Sequence, residues 1–304
     1  MDFLNKKDLV EMYEDYAKQF NQEFAKATLK ATGRGGVYAS RDYIQSICIM
    51  ATCVKYQAPL HELHVLSDIK KYLPAAVRFR LSSYSPCLAY RYDELKEDAQ
   101  KELFINTNCL MTEKENGVRG WLIVSRGKTY LFSRNYSDVD CTVPEYWSNI
   151  YQELSFDPEE TFAVDVEVKC EADYDLIKTM EEIGVTTNSK LEAMSALLQT
   201  YPETAQKIQK EYKLKTGKDL VAFRVIHPLY YKGKNYIANG VKLIEGKKVL
   251  KECIEHGQKH GLNLKPIAMC RGSKEAKEQF LDTILENNGE GVVFHNLNSC
   301  YCTS

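Results

Sequence analysis

Residues 162–168 read Phe162-Ala163-Val164-Asp165-Val166-Glu167-Val168, an apolar and polar alternation with a period of two. Successive side chains of a strand point to opposite faces, so Phe162, Val164, Val166 and Val168 predict one buried face of a sheet. Asp165 and Glu167 then project together from the other face. Similar short runs lie on both sides. Residues 121–125 and 129–132 flank Arg126-Gly127-Lys128 as a hairpin would, and residues 221–226 and 291–294 predict two further strands. Helical periods occupy residue 189 to about residue 213, interrupted near Pro202, then residues 248–260 and 274–286. Strands and helices mixed in this order predict an α+β domain.

The chain ahead of this domain reads differently. Leu9, Tyr13, Tyr16, Phe20 and Phe24 recur at steps of three and four, which predicts one amphipathic helix ending before Gly33-Arg34-Gly35-Gly36. Ser40 then reads as an N-cap, with Tyr43, Ile44, Ile47, Cys48 and Ala51 forming a second apolar face. Residues 63–72 predict a third helix, ended by Pro74. The glycine cluster lacks the Gly-Lys-Ser/Thr ending of a phosphate loop and reads as a connector.

At 304 residues the chain is long enough for about two domains, and 44% hydrophobic with 27% charged residues excludes disordered and fibrous classes. The longest nearly apolar run, residues 47–54, falls far short of the ~18 residues needed to cross a bilayer. The amino terminus mixes charge into its first turns, unlike a secretory signal. The expectation is an intracellular protein (cytoplasmic, nuclear or virus-encoded) with no membrane association. Ten dispersed cysteines in such a chain predict reduced thiols, and their gaps do not match strong zinc motifs. His61 with His64, and His256 with His260, stand at helical spacing, which fits packed or solvated helix faces better than a metal without a third ligand.

A net charge of −2 excludes a uniformly basic nucleic-acid binder, but the distribution is uneven. Residues 153–182 carry eleven acids against Lys169 and Lys178, whereas residues 201–251 carry twelve bases against four acids. A polyanion and a metal would suit such segments, as would two solvated faces.

The chemistry concentrates in a set of short motifs. Lys114-Glu115-Asn116-Gly117-Val118-Arg119-Gly120 precedes the strand at Trp121 and is weak taken alone. After it come Phe132-Ser133-Arg134-Asn135, Asp165-Val166-Glu167, the segment 223–234, and Glu290-Gly291-Val292-Val293. A lysine amine attacks phosphorus only when unprotonated, so its ordinary pKa near 10.4 must fall through burial or neighbouring cations. Arg119 and Arg134 carry planar forks suited to phosphate oxygens or a ribose hydroxyl. Taken singly, Lys114 also reads as a surface lysine at a turn, Glu167 as half of a salt bridge and Arg134 as a solvated hairpin end.

The ordered set resembles the covalent nucleotidyltransferase superfamily, and most closely the ATP-dependent DNA ligases. Ser85-Pro86-Cys87-Leu88-Ala89 is similar to the segment leading into the ligase catalytic domain. The resemblance covers residues 84–304. It implies an adenylyltransferase domain of the nucleotidyltransferase (ATP-grasp-like) type, with antiparallel sheets flanked by helices, behind a helical extension over residues 1–83. It further implies Lys114 as the nucleophile taking AMP from ATP, with Glu113, Arg119, Arg134, Glu167, Ile226 and Glu290 at the nucleotide. Glu290 and Glu167 would hold Mg²⁺, and the partner would be nicked double-stranded DNA, all DNA or RNA-containing, sealed by a monomer. The basic segment from Lys207 to Lys251 would meet the nucleic-acid backbone.

Four departures stand out. Asn116 takes the place of an aspartate, Ile226 that of an aromatic stacking on adenine, and His227 that of another aspartate. The chain also stops at Ser304, after Tyr301 but before the family's lysine pair and oligonucleotide-binding domain. That ending fits either a fragment or a truncated, catalytically impaired binding module. Glu113 beside Lys114 is similar to some RNA ligases, and an RNA ligase or a capping-type guanylyltransferase is the alternative within the enzyme class.

Overall fold

The computed structural model describes residues 6–29, 37–73, 77–78, 89–125, 128–133, 154–170, 175–199, 202–238 and 240–301. The chain divides into two compact units, Met1–Ser85 with Phe132–Val143, and Pro86–Leu131 with Pro144–Ser304.

Helices α1 (Lys6–Ala17), α2 (Gln22–Thr28), α3 (Val37–Lys55) and the short α4 (Ile69–Tyr72) belong to the first unit. The single helix expected from the stripe of Leu9 to Phe24 is in fact two. Asn21 breaks it, because its side chain accepts the Glu23 N–H at 2.9 Å and so competes with helix continuation while capping α2. Phe20 stays buried in the break and stacks on Phe24 at 5.6 Å, so the apolar period survives the interruption. Ser40 is not an N-cap, since α3 already begins at Val37. Of the helix expected over 63–72 only the end forms. The Asp68 carboxylate accepts the N–H groups of His64 and Val65 at 2.9 and 3.0 Å and closes a turn, with 3₁₀ turns at Leu60–Glu62 and Leu66–Asp68 ahead of α4. Arg34, its glycine neighbours and Pro74 lie outside the described residues.

The second unit has the expected α+β architecture. Strands β1 (Cys109–Glu113), β8 (Met269–Cys270) and β9 (Val292–Asn296) form an antiparallel sheet in the order β8-β1-β9. A larger sheet runs β3-β2-β4-β5-β6, comprising Lys128–Ser133, Val118–Ser125, Thr161–Cys170, Val221–Tyr231 and Lys234–Asn235, with β7 (Leu264–Pro266) parallel to β5. Residues 114–117 are therefore the link between the two sheets.

Phe162, Val164, Val166 and Val168 are fully buried, as the alternation predicts, and each such side chain contributes roughly 1.5–3 kcal/mol by leaving water. Asp165 is fully buried too, so the opposite face of β4 is not a solvent face. Strand β5 outruns its predicted end and shifts register against β4 on both sides of the Val164–Asp165 pair, the kind of irregularity that re-aims side chains.

Helices α5 (Glu97–Ile105), α6 (Leu176–Glu182), α7 (Lys190–Gln199), α8 (Pro202–Thr216), α9 (Leu243–Lys259) and α10 (Lys274–Glu286) complete the unit. Pro202, near which the interruption is expected, opens α8, where its missing N–H costs nothing. Helix α9 starts five residues before its predicted start. Its first N–H groups are taken by the C-terminal segment, Leu243 donating to Ser299 O at 2.8 Å and Ile244 to Leu297 O at 3.0 Å. Lys277 of α10 is fully buried and donates to the carbonyls of Leu103 and Asn106 at 3.0 and 2.8 Å, closing the end of α5.

The cysteines among the described residues are free thiols. Burial pushes Cys53 and Cys253 up to about 12, which makes them packing residues rather than nucleophiles. His256 and His260 lie on a packed face, 4.5 Å apart between ring centres and both against Phe156. The basic segment is not one surface. Lysines 207, 210, 213, 215 and 218 are exposed on and after α8, Lys232 and Lys234 pair with Glu252 and Glu245, and Lys247 is half-buried and donates to Ile226 O. No helix among the described residues is long and apolar enough to cross a membrane.

Candidate active site

Lys114 follows β1 at the start of the link between the sheets. Its N–H donates to Gly291 O at 2.9 Å, and the N–H of Glu113 donates to Ala268 O at 2.9 Å, so both ends of the three-stranded sheet fix the lysine's backbone. Gly291 adopts φ +129°, which only glycine reaches without strain. The Lys114 ammonium is in contact with the Glu290 carboxylate, 176 residues away in sequence. Its side chain is half exposed.

Gly117 presses the link onto β4. A Cβ there would stand 2.4 Å from Val168 O and 3.0 Å from the side chains of Glu167 and Lys169, so only glycine permits this approach. Glu115 turns the other way from Lys114. Its nearly buried carboxylate contacts the Lys169 ammonium and lies 3.6 Å from Arg224 Nε.

Arg119 on β2 faces Glu167 on β4 in register, and Glu167 in turn faces Arg224 on β5. The guanidinium of Arg119 nevertheless reaches the buried Asp165, with Nε at 2.6 Å from Oδ1 and Nη2 at 2.7 Å from Oδ2. The Tyr301 hydroxyl donates to Asp165 Oδ2 at 2.6 Å, and Trp121 Nε1 donates to that hydroxyl at 3.4 Å. Burial works against the charge on Arg119, but the charge and hydrogen bonds of Asp165 outweigh it, and its pKa is raised. Part of the Arg119 fork is committed to Asp165.

Behind this pair lies a polar core. Lys247 of α9 donates to Ile226 O at 2.5 Å, and burial lowers its pKa to about 8, opposed by Asp165 and assisted by Arg119. His227 is buried and lowered to about 3, first by burial and then by Lys247. His295, held by Thr112 Oγ1 at 2.9 Å, is likewise lowered to about 3 by burial, Lys247 and Arg119. Both rings are neutral at physiological pH.

The structure thus brings Glu113, Lys114, Arg119, Glu167, Ile226 and Glu290 into one unit. It pairs Lys114 with Glu290, and Arg119 with Glu167 in register. Arg134 lies outside the described residues. Asp165, Tyr301, Lys247, His295 and Glu115, which the sequence reading does not assign to the site, pack or pair around these groups. The alternation that placed Asp165 beside Glu167 was a usable signal, whereas Lys247 sits unmarked in a basic run and Glu115 in an ordinary Lys-Glu pair.

A search of curated proteins found no match. Among solved structures, the ATP-dependent DNA ligase from bacteriophage T7 in complex with ATP is 16% identical, covers 68% of this chain and 62% of its own, and has a TM-score of 0.43. The Chlorella virus DNA ligase-adenylate is 16% identical over 72% of this chain and 63% of its own, also at 0.43. The ligase domain of LigD from M. tuberculosis is 16% identical over 73% and 57%, again at 0.43. The chain spans less than two thirds of the length of each. The family model described as "ATP dependent DNA ligase domain" matches residues 86–304, most of the chain and every motif from Lys114 onward. On that match, the chain belongs to the ATP-dependent DNA ligase domain family.

Proposed function

We propose that the chain is the adenylyltransferase part of an ATP-dependent polynucleotide ligase acting on nicked DNA, with residues 84–304 as the catalytic domain and residues 1–83 as a helical extension. The observation that carries the reading is Lys114, held at Glu290 on a link pressed against Glu167, with Arg119 on the neighbouring strand. The half-exposed amine loses its proton to water, and its lone pair then attacks the α-phosphorus of ATP. An N–P bond forms, the P–O bond to the β-phosphate breaks, and pyrophosphate leaves with the electron pair. The AMP then passes to a 5′-phosphate, and a 3′-hydroxyl displaces it.

Arg119 keeps its orientation through Asp165, and its guanidinium is assigned to the nucleotide beside Glu167. Glu113, Glu167 and Arg134 are assigned to the nucleotide, with Glu167 at the ribose, and Ile226 covers the base through an aliphatic face. The donor chemistry suits Mg²⁺: Glu290 offers a carboxylate more than a third exposed. Mg²⁺ commonly binds through one or two carboxylates plus phosphates and water, so Glu290 with Glu167 would hold it, and it would neutralise phosphate charge. The exposed lysines of α8 supply sequence-independent contacts to a nucleic-acid backbone.

The test is intact mass after incubation with ATP and Mg²⁺, repeated with GTP and with Lys114→Ala. An AMP adduct on the parent chain and none on the variant is expected; absence of an adduct from the parent refutes the reading, and labelling by GTP alone converts it to guanylyl transfer. Sealing of nicked DNA set against nicks with an RNA 3′-hydroxyl strand then fixes the substrate.

A further inference from the structure

Lys114 and Glu115 are neighbours on a four-residue link between two sheets, and their side chains go to different sheets. Lys114 turns to Glu290, whose own neighbour Gly291 on the approach to β9 accepts the lysine's N–H. Glu115 turns to Lys169 on β4 and Arg224 on β5, both in the larger sheet. Its carboxylate is 7% exposed and faces two cations, one per oxygen, with Lys169 at Oε2 and Arg224 at Oε1. Arg224 is itself tied down, donating from Nη1 to Pro266 O at 3.4 Å. A carboxylate so far from water stays only where its charge is matched, so the triad resists any slide of the link along β4. Gly117 adds a second point of contact, with its backbone against Val168.

We propose that Glu115 is a positioning residue for Lys114: anchored by Lys169 and Arg224, it fixes the spacing between the sheet that carries Lys114 and Glu290 and the sheet that carries Arg119 and Glu167. The inference rests on the adenylyl-transfer reading and deepens it. Glu115 has no place at the nucleotide in that reading, so it acts on where the amine stands rather than on how ATP binds. Misplacement of a nucleophile by about 1 Å costs up to about 100-fold in rate.

The experiment is single-turnover formation of the lysyl-AMP adduct by the full chain, with the maximal rate and the ATP concentration at half-maximal rate read separately. Glu115→Ala and Lys169→Met are each expected to slow the maximal rate by about 10- to 100-fold, leaving the half-maximal ATP concentration within about twofold. Lys169→Arg, which keeps the cation, is expected to retain the rate. The double variant should be no slower than the slower single, because the residues act as one unit. A Glu115→Ala rate equal to the parent's, or a loss confined to ATP affinity, overturns the inference while leaving adenylyl transfer intact. If Glu115→Ala does not fold, equal rates for Lys169→Met and Lys169→Arg overturn it just as well. A parent chain that forms no adduct overturns both.

Discussion

His227 makes stability depend on pH in a window where few other groups titrate. Its ordinary pKa of 6.5 falls to about 3 in the fold, chiefly through burial and then through Lys247. The folded state therefore binds fewer protons than the unfolded state between those values. Stability is fully present above about pH 6.5 and is lost as the pH drops toward 3. Integrating the difference from about pH 7.5 to about pH 5 gives about 2 kcal/mol for this one ring. His295, shifted in the same direction, adds to the loss. Urea unfolding at both pH values, followed through Trp121 in a Trp147→Phe background, measures it in the parent and in His227→Asn. Carboxylates titrate alike in both proteins, so the difference of differences isolates His227. The variant should lose about 2 kcal/mol less than the parent on acidification. An equal loss would refute the reasoning, because it would mean that the ring takes up a proton without opening the fold.

Two further outcomes follow from side chains that fill unusual positions. Lys277→Met should destabilise the chain by about 1–3 kcal/mol in urea unfolding, since the Leu103 and Asn106 carbonyls lose their donor; an unchanged midpoint would mean that water replaces it. Gly246→Ala places a Cβ 2.3 Å from His227 Cε1 and should cost about 1–3 kcal/mol; in a double-mutant cycle His227→Ala should remove most of that cost, and simple additivity would argue against the contact.

What could be read in the chain follows the range of each interaction. The β4 alternation and the 3.6-residue period of α10 are local, and Ser273 caps α10 where the period starts, so both elements lie where they were predicted. The stripe from Leu9 to Phe24 misled because the apolar period continues through the turn that Asn21 makes. Burial was the harder quantity. Alternation put Asp165 on the face of Glu167, but nothing local indicates that Tyr301 covers that face. Lys247 looks like its neighbour Lys248, yet one is half-buried and donates to Ile226 O while the other is exposed, a difference set by how α9 packs. The Lys114 and Glu290 contact spans nearly the whole domain, and no periodicity could have reported it; only the order of motifs brought the two residues into one argument.

The electrostatics of the core explain why His227 suits this chain although it departs from the family pattern. Arg119 and Lys247 are half-buried cations near one buried carboxylate, Asp165, and Lys247 is lowered to about 8, chiefly by burial, with Asp165 opposing and Arg119 assisting. Burial chiefly holds the ring neutral, and the neighbouring Lys247 and Arg119 cations add to it. An aspartate in its place would add a second buried anion and balance the count, but it would also offer Arg119 a competitor to Asp165. With a neutral ring at 227, Asp165 faces no rival carboxylate from that position, and its bidentate pair with Arg119, backed by the Tyr301 hydroxyl, fixes the direction in which the guanidinium points. The ring needs room that a side chain at 246 would occupy, and glycine supplies it. His227 and Gly246 are thus one packing solution, set beside the Asp165 carboxylate that holds the Arg119 guanidinium in a bidentate pair.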